Sequence, residues 1–266
     1  MQIVGELINA SRQSVNDAIK AQDKQTLQKL AKDQYEHGAH YIDVNAGTFV
    51  GQEKEYMDWL IKLVQEVVDI PCCIDSPDPK VVESGLNLHQ DTVPMVNSIS
   101  LEKERFDNLL PIVTQYKCKV VALCMSDDGM PETADDRFAI AEKLVNHLVQ
   151  KGVKAEDIYL DPLVQPISTN KDYGVEFLNS IEKIMTRLEG VHTICGMSNI
   201  SFGLPKRAIL NRAFMVMSVL KGLDTAIVNP LDANMMANII VSETLAGKDE
   251  FCMNFLDAYR ANKLEI

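Results

Sequence analysis

The 266-residue sequence contains no run approaching the roughly 18 consecutive apolar residues of a membrane-spanning helix, which excludes a helical integral membrane protein. Its first residues, MQIVGELINASRQ, lack the basic segment and small-residue cleavage site of a secretory leader, so a cytoplasmic protein is expected. Positive charge is in deficit. A formal net charge of −12 argues against a nucleic-acid or anionic-membrane surface, and an anionic ligand would need locally clustered cations. No GxGxxG follows any strand-like run, which removes the usual dinucleotide-binding sheet. No glycine/serine linker, charge block or low-complexity segment divides the chain, so a single domain over residues 1–266 is expected.

Cysteine is present, six times, but without metal or disulfide patterning. There is no CxxC pair and no His/Cys group at zinc spacing. Cys72, Cys73, Cys118, Cys124 and Cys195 lie in or beside apolar runs and read as buried, reduced thiols acting as small hydrophobes. Adjacent Cys72 and Cys73 would face opposite sides of a strand and make a poor chelate.

With 46% hydrophobic residues the chain can bury a large core, and the apolar residues are arranged in two alternating patterns. Eight strand-like runs occur: IVGEL (from Ile3), HYIDV (His40), CCID (Cys72), TVPMVN (Thr92), KVVALCM (Lys119), DIYLD (Asp157), HTIC (His192) and TAIVN (Thr225). Between them lie helix-period stripes, among them Met57, Leu60, Ile61 and Val64; Phe138, Ala141, Leu144, Val145 and Leu148; and Leu178, Ile181 and Met185. Eight strands alternating with helices, in a chain near the ~250 residues typical of the fold, predict an α/β TIM (β/α)8 barrel.

Barrel chemistry sits at the C-terminal ends of the strands. Those ends carry Glu6 and Asn9, Asp43 and Asn45, Asp75, Asn97, Asp161, Asn199 and Asn229, whereas the fifth strand closes on Met125 and Ser126. Singly, each reads equally well as a cap or turn residue: Asp75-Ser76 before Pro77 and Pro79, Asp161-Pro162 as a turn opener, Ser198 or Asn199 as a helix cap. Together, acids and carboxamides dominate where Ser, Thr or Gly would cap as well. Carboxylates accept and carboxamides both accept and donate, so the rim suits a ring with an amidine-like N–H edge and a neighbouring carbonyl. A divalent metal with oxygen ligands is the minority reading, since the acids stand on separate strands.

The motifs GELINASR, YIDVNAG, CCIDS, PMVNSIS, YLDPLVQP and GMSNISFGLPKRAILNRAF follow one another at successive strand ends. In this order they resemble the pterin-binding methyltransferase family, over essentially the full chain from Ile3 to about Phe255. The folate domain of cobalamin-dependent methionine synthase and dihydropteroate synthase belong to the same superfamily. The resemblance implies methyl transfer between N5 of tetrahydrofolate, with 5-methyltetrahydrofolate as its methylated form, and the cobalt of a corrinoid protein. It implies that Asp75, Asn97 and Asp161 hold the pyrimidine edge, that Asn199 hydrogen-bonds N5, and that Gly196 and Ser198 contact the ring through their backbone. Arg207, with Lys206 and Arg212 near it, becomes the candidate cation for the anionic folate tail. No directly bound metal and a homodimer are also implied.

Two features depart from the pattern or limit it. The family's early Glu-Arg is Glu6-Leu7 here. The cobalamin-binding signature Asp-x-His-x-x-Gly is absent, His89 in LNLHQD being the nearest histidine, so cobalamin is expected in trans on a separate corrinoid protein. A dihydropteroate synthase would carry Asn-x-Thr-Pro-Asp-Ser-Phe after the first strand, where this chain has INASRQSV. A non-catalytic folate-binding subunit would not need a group at N5, which sets Asn199 against that alternative. The direction of transfer and the pathway are open at this stage.

Overall fold

In the computed structural model, which describes residues 1–89 and 91–264, eight parallel strands form one sheet. They are β1 (Gln2–Asn9), β2 (Tyr41–Asn45), β3 (Cys72–Asp75), β4 (Met95–Leu101), β5 (Lys119–Ser126), β6 (Ile158–Asp161), β7 (His192–Thr193) and β8 (Thr225–Val228). The strand order β7-β6-β5-β4-β3-β2-β1-β8 follows the chain around the barrel. Closure between β7 and β8 rests on a single bridge, Gly196 with Ile227, where the Ile227 amide donates to the Cys195 carbonyl at 3.0 Å. The TIM barrel expected from the sequence is the fold, and all eight runs are strands.

Ten α-helices surround it among the described residues: α1 (Gln13–Lys20), α2 (Lys24–Glu36), α3 (Glu53–Gln65), α4 (Pro79–Asn87), α5 (Lys103–Tyr116), α6 (Ala134–Gln150), α7 (Tyr173–Arg187), α8 (Arg207–Leu220), α9 (Ala233–Leu245) and α10 (Met253–Arg260). Their starts are chemically marked. Asp23 caps α2, Asp78 with Pro79 at the first helical position begins α4, and Thr133 with Asp136 forms a capping box on α6. The stripes read from the sequence face the sheet, with Met57, Leu60, Ile61 and Val64 of α3 and Ala141, Leu144 and Leu148 of α6 buried.

The strands separate two cores. Val4, Tyr41, Cys73, Met95, Val121, Tyr159 and Ile194 pack together inside the barrel, while Cys72, Ile42, Ile74 and Val96 join the helices outside. Cys72 and Cys73 therefore face opposite sides, as period-two geometry requires. Five cysteines are buried and Cys252 is exposed. Below the inner layer, Lys119 donates to the Tyr159 hydroxyl at 2.9 Å, which donates to Gln2 at 3.0 Å, closing the N-terminal mouth with polar groups.

Gly5 shows how tightly the wall is fitted. A Cβ there would lie 2.5 Å from Gln34 Oε1, and that buried oxygen accepts the Leu7 amide at 3.0 Å. Only a glycine lets the α2 side chain reach through to β1.

Candidate active site

The inner apolar layer fixes what stands above it. Side chains two residues further along each strand share its face. From Val4, Tyr41, Cys73, Met95, Val121, Tyr159, Ile194 and Ile227 this step leads to Glu6, Asp43, Asp75, Asn97, Leu123, Asp161, Gly196 and Asn229. An apolar ring is thus roofed mostly by acids and amides, with β5 contributing the hydrocarbon of Leu123 and the chain after β7 a glycine, Gly196.

One arc of this layer is continuous. In the ladders, Asn45 lies beside Asp75 and Asp75 beside Asn97. Asn45 Nδ2 donates to Asp75 Oδ2 at 2.8 Å, and Asn45 Oδ1 accepts the Gly47 amide at 3.0 Å, so the amide is oriented from both ends. Burial raises the Asp75 carboxyl above the usual carboxylate range, while Asn45 and the Arg105 guanidinium oppose that rise. Arg105 is itself anchored, donating to the Ser98 carbonyl at 2.8 Å and hydroxyl at 3.1 Å. Asp75 does not cap α4, because Asp78 does so by accepting the Lys80 amide at 2.8 Å. The capping alternative for Asp75 is removed.

Asn97 is not at the end of its strand, contrary to the sequence reading. β4 continues to Leu101, and its ladder to β5 slips between Asn97 and Ile99, at the cis Asn97–Ser98 peptide. The slip lets Asn97 stay in the polar layer while Ser100 beyond it is buried against Glu102.

Asp161 stands apart, separated from Asn97 by β5 and its Leu123. Its Oδ1 accepts the Leu163 amide at 2.8 Å, so the turn-opening role seen in the sequence is real. That bond leaves the carboxyl otherwise buried, and burial pushes it up to about 7. The loop beyond is pinned by Arg137, fully buried, which donates to the Pro162 carbonyl at 2.9 Å, the Glu132 carbonyl at 3.0 Å and Gln165 Oε1 at 3.1 Å.

Gly196, Ser198 and Asn199 form a third piece. Met197–Ser201 is a short 3-10 turn, and α8 begins only at Arg207 with no side-chain cap, so neither Ser198 nor Asn199 caps it. The Asn199 carbonyl accepts the Phe202 amide at 3.1 Å; its side chain is exposed and makes no hydrogen bond to the described residues. Arg207 grips this turn instead of standing free for a ligand: it donates to the Ser198 carbonyl at 2.6 Å and the Ser201 hydroxyl at 3.1 Å. Arg212 pairs with Asp232 at 3.1 Å, whereas Lys206, with φ of 54°, remains exposed. Ser198, Asn211, Asn229, Asp232 and Glu6 line a cavity of about 90 Å³ beside the turn.

Leu7 occupies the place of the expected arginine and is buried, yet Glu6 has a cation. Arg12 donates to Glu6 Oε1 at 2.6 Å. Among the described residues, no three His, Cys, Asp or Glu side chains are grouped as a metal site, and no helix is long and apolar enough to cross a membrane.

Sequence reasoning placed Asp43 and Asn45 on the rim without giving them a part in the site, and missed Arg105 and Arg137. Period two along β2, Tyr41-Asp43-Asn45, was the available signal for the first pair. Nothing local marks the two arginines, whose partners lie on other elements.

Residues 5–229, which carry this inward ring of acids and amides, match the family described as pterin binding enzyme. The chain belongs to this family. Within it, the chain is 34% identical over 266 residues to the methylcorrinoid:tetrahydrofolate methyltransferase of Eubacterium limosum, covering 99% of this chain and 98% of that one. It is also 32% identical over 241 residues to methionine synthase of Mycobacterium tuberculosis, across 85% of this chain but only 20% of that longer protein. Among solved structures, dihydropteroate synthase of Coxiella burnetii with pteroic acid superposes with a TM-score of 0.71 at 16% identity, over 93% of this chain and 94% of that one. The Thermus thermophilus enzyme gives 0.69 at 17%, over 92% and 94%; at these identities the likeness concerns the fold.

Proposed function

We propose that this protein transfers a methyl group between a corrinoid protein and N5 of tetrahydrofolate. The observation that carries the reading is the division of the polar layer into an arc on adjacent strands, the bonded pair Asn45–Asp75 with Asn97 beside it, and an exposed Asn199 side chain without a hydrogen-bond partner among the described residues. The full-length kinship with a methylcorrinoid:tetrahydrofolate methyltransferase supports it over the dihydropteroate synthase alternative.

In this reading Asp75 accepts from the 2-amino/N3 edge, a charge-assisted contact stronger than a neutral one. Asp161 lies on the other side of Leu123 and takes a second donor of the same heterocycle. Its ionisation near neutrality then becomes coupled to binding, because a ligand N–H supplies the partner that the carboxylate lacks in the free protein. Gly196 and Ser198 border the ring.

Asn199 meets N5. The methyl moves without its bonding electrons: in one direction Co(I) supplies the pair for the new bond and N5 retains the pair of the old one, and the reverse direction exchanges these roles. N5 therefore changes its charge and its hydrogen-bonding character along the reaction. A carboxamide can accept from N5–H⁺ or donate to the N5 lone pair, whereas a carboxylate would favour one state. The remaining acceleration comes from alignment of the two reactants.

The methylated or unmethylated corrinoid arrives on a separate protein. A homodimer in the cytoplasm completes the reading: buried thiols suit a reducing compartment, and exposed Leu220 of α8, Leu245 of α9, Phe251 in the turn after α9 and Tyr259 of α10 leave apolar surface for a second copy. The test is methyl transfer between a purified methylated corrinoid protein and tetrahydrofolate, run in both directions. Product in either direction supports the reading. Tight folate binding without transfer to any corrinoid protein, or free cobalamin, would reduce the protein to a binding subunit.

A further inference from the structure

One titratable group in the polar layer has no part in the mechanism above. Asp43 projects from the middle of β2, between Tyr41 of the inner apolar layer and Asn45, which orients Asp75. It is almost fully buried, and its Oδ1 has no hydrogen-bond partner among the described residues. A buried acceptor left unpaired costs about 1–3 kcal/mol, and more when charged, so the surroundings must supply either a proton or a partner.

Its neighbours are few. From β3 come the Cys73 thiol, Asp75 and, at longer range, Cys72; from β4 comes the Asn97 carboxamide; from β1 comes Glu6, already paired with Arg12. Arg105 of α5 and Glu53 of α3 act on Asp75, one step further out. No cation in this set faces Asp43. Burial, then the charge of Asp75, pushes its carboxyl well above the usual range, with Cys73 and Asn97 opposing more weakly. Each charge opposes the other's ionisation, and the titration belongs to the pair. The deeper one, with no guanidinium near it and only the weaker pull of Cys73 and Asn97 toward ionisation, is the better holder of a proton.

We infer that Asp43 is a positioning residue, a buried carboxylic acid whose O–H donates to the Asn97 carboxamide oxygen and so turns the Asn97 NH2 toward the ligand. An ionised Asp43 would instead accept from that NH2 and present the Asn97 oxygen. The proton on Asp43 thereby sets which edge of the heterocycle β4 can read: with it, Asp75 offers an acceptor and Asn97 a donor, matching an amino/N–H group next to a carbonyl. The inference rests on the proposed folate reading, and it assigns Asp43 no contact with the reacting atoms.

The test compares wild type, Asp43→Asn and Asp43→Ala, using equilibrium binding of 5-methyltetrahydrofolate from pH 6 to pH 9 and the infrared carbonyl band of the ligand-free proteins. Asparagine keeps a donor for the Asn97 oxygen but cannot ionise. Asp43→Asn is expected to bind within about threefold of wild type at neutral pH and to lack the alkaline loss of affinity that wild type shows. Asp43→Ala, folded by circular dichroism, is expected to bind at least tenfold more weakly across the range. In the ligand-free wild-type minus Asp43→Asn difference spectrum, a protonated-carboxyl band should be present at neutral pH. Absence of that band, or an Asp43→Asn profile with the wild-type alkaline limb, overturns the inference. So does wild-type affinity in Asp43→Ala. Failure of the wild type itself to bind the folate would sink the functional reading instead, and the infrared difference would still decide the state of Asp43.

Discussion

The two halves of the site are built differently. On β2, β3 and β4 the side chains Asn45, Asp75 and Asn97 spring from hydrogen-bonded strand backbone, and Asn45 and Asp75 are bonded to one another. After β7 the strand has ended, and Asn199 rides on a 3-10 turn held by Arg207 from outside. The first half is rigid because its geometry is that of the sheet. The second half keeps the Asn199 amide free of hydrogen-bond partners among the described residues. A ligand edge that looks the same before and after reaction suits the rigid arc, and an atom whose charge changes suits the unengaged amide. That contrast is what the following experiments sharpen or break.

The largest effect concerns Asp161, which borders both halves. Its carboxyl is raised by burial to about 7 from an ordinary 3.8, so the folded state prefers it protonated. The associated stability is fully present below the ordinary value and is lost as pH rises through about 7. Above that window the free protein carries a buried carboxylate, a penalty of up to about 4 kcal/mol that Asp161→Asn removes. Urea unfolding of the ligand-free proteins should show the mutant gaining on wild type between pH 4 and pH 7 and holding that gain at pH 8. A difference that is constant with pH would contradict the assignment.

Next is Asp75. Replacement by asparagine leaves the shape but removes the charge that strengthens its contact, so 5-methyltetrahydrofolate should bind about 10–100-fold more weakly. The single-turnover rate at saturation should change little, because that edge is held equally before and during transfer. A mainly rate-lowering Asp75→Asn would merge the two halves into one catalytic unit.

Arg207→Met is expected to be milder. It releases the Ser198 carbonyl and Ser201 hydroxyl while keeping aliphatic bulk, and a loosened Asn199 turn should slow transfer about tenfold with affinity nearly unchanged. A large loss of affinity for polyglutamylated folate alone would return Arg207 to the tail-binding role expected from the sequence. The smallest expected effect is none: calorimetry with and without a chelator should give the same folate affinity, and a chelator-dependent loss would revive the metal alternative for the rim acids.

Much of this was legible in one dimension. Eight apolar runs with helical stripes between them specify a barrel because period two and period 3.6 cannot substitute for each other, and the run ends placed Asp75 and Asp161 at the rim, in the layer where the fold carries them. Asn97 lies beside Asp75 as expected although its strand was cut short in the reading, since a ladder slip leaves no trace in composition. Arg207 lies beside the Asn199 turn as expected but its partners were not foreseen, because a guanidinium near a loop reads as an anion site until the loop's own carbonyl is seen to occupy it. Arg105 and Arg137 were invisible for the same reason: what makes them matter is a carbonyl or carboxyl on another element, brought close by the fold alone.

The division of labour between anchored edge and unengaged amide is tested most directly at Asn199. The measurement pairs equilibrium binding of 5-methyltetrahydrofolate with single-turnover methyl transfer to a Co(I) corrinoid protein, for wild type and Asn199→Ala. The anchored edge predicts affinity within a few-fold of wild type, while loss of one preorganised transition-state hydrogen bond, about 3 kcal/mol, predicts transfer slowed on the order of a hundredfold. Transfer at the wild-type rate would contradict the account and leave the turn after β7 with a purely structural role.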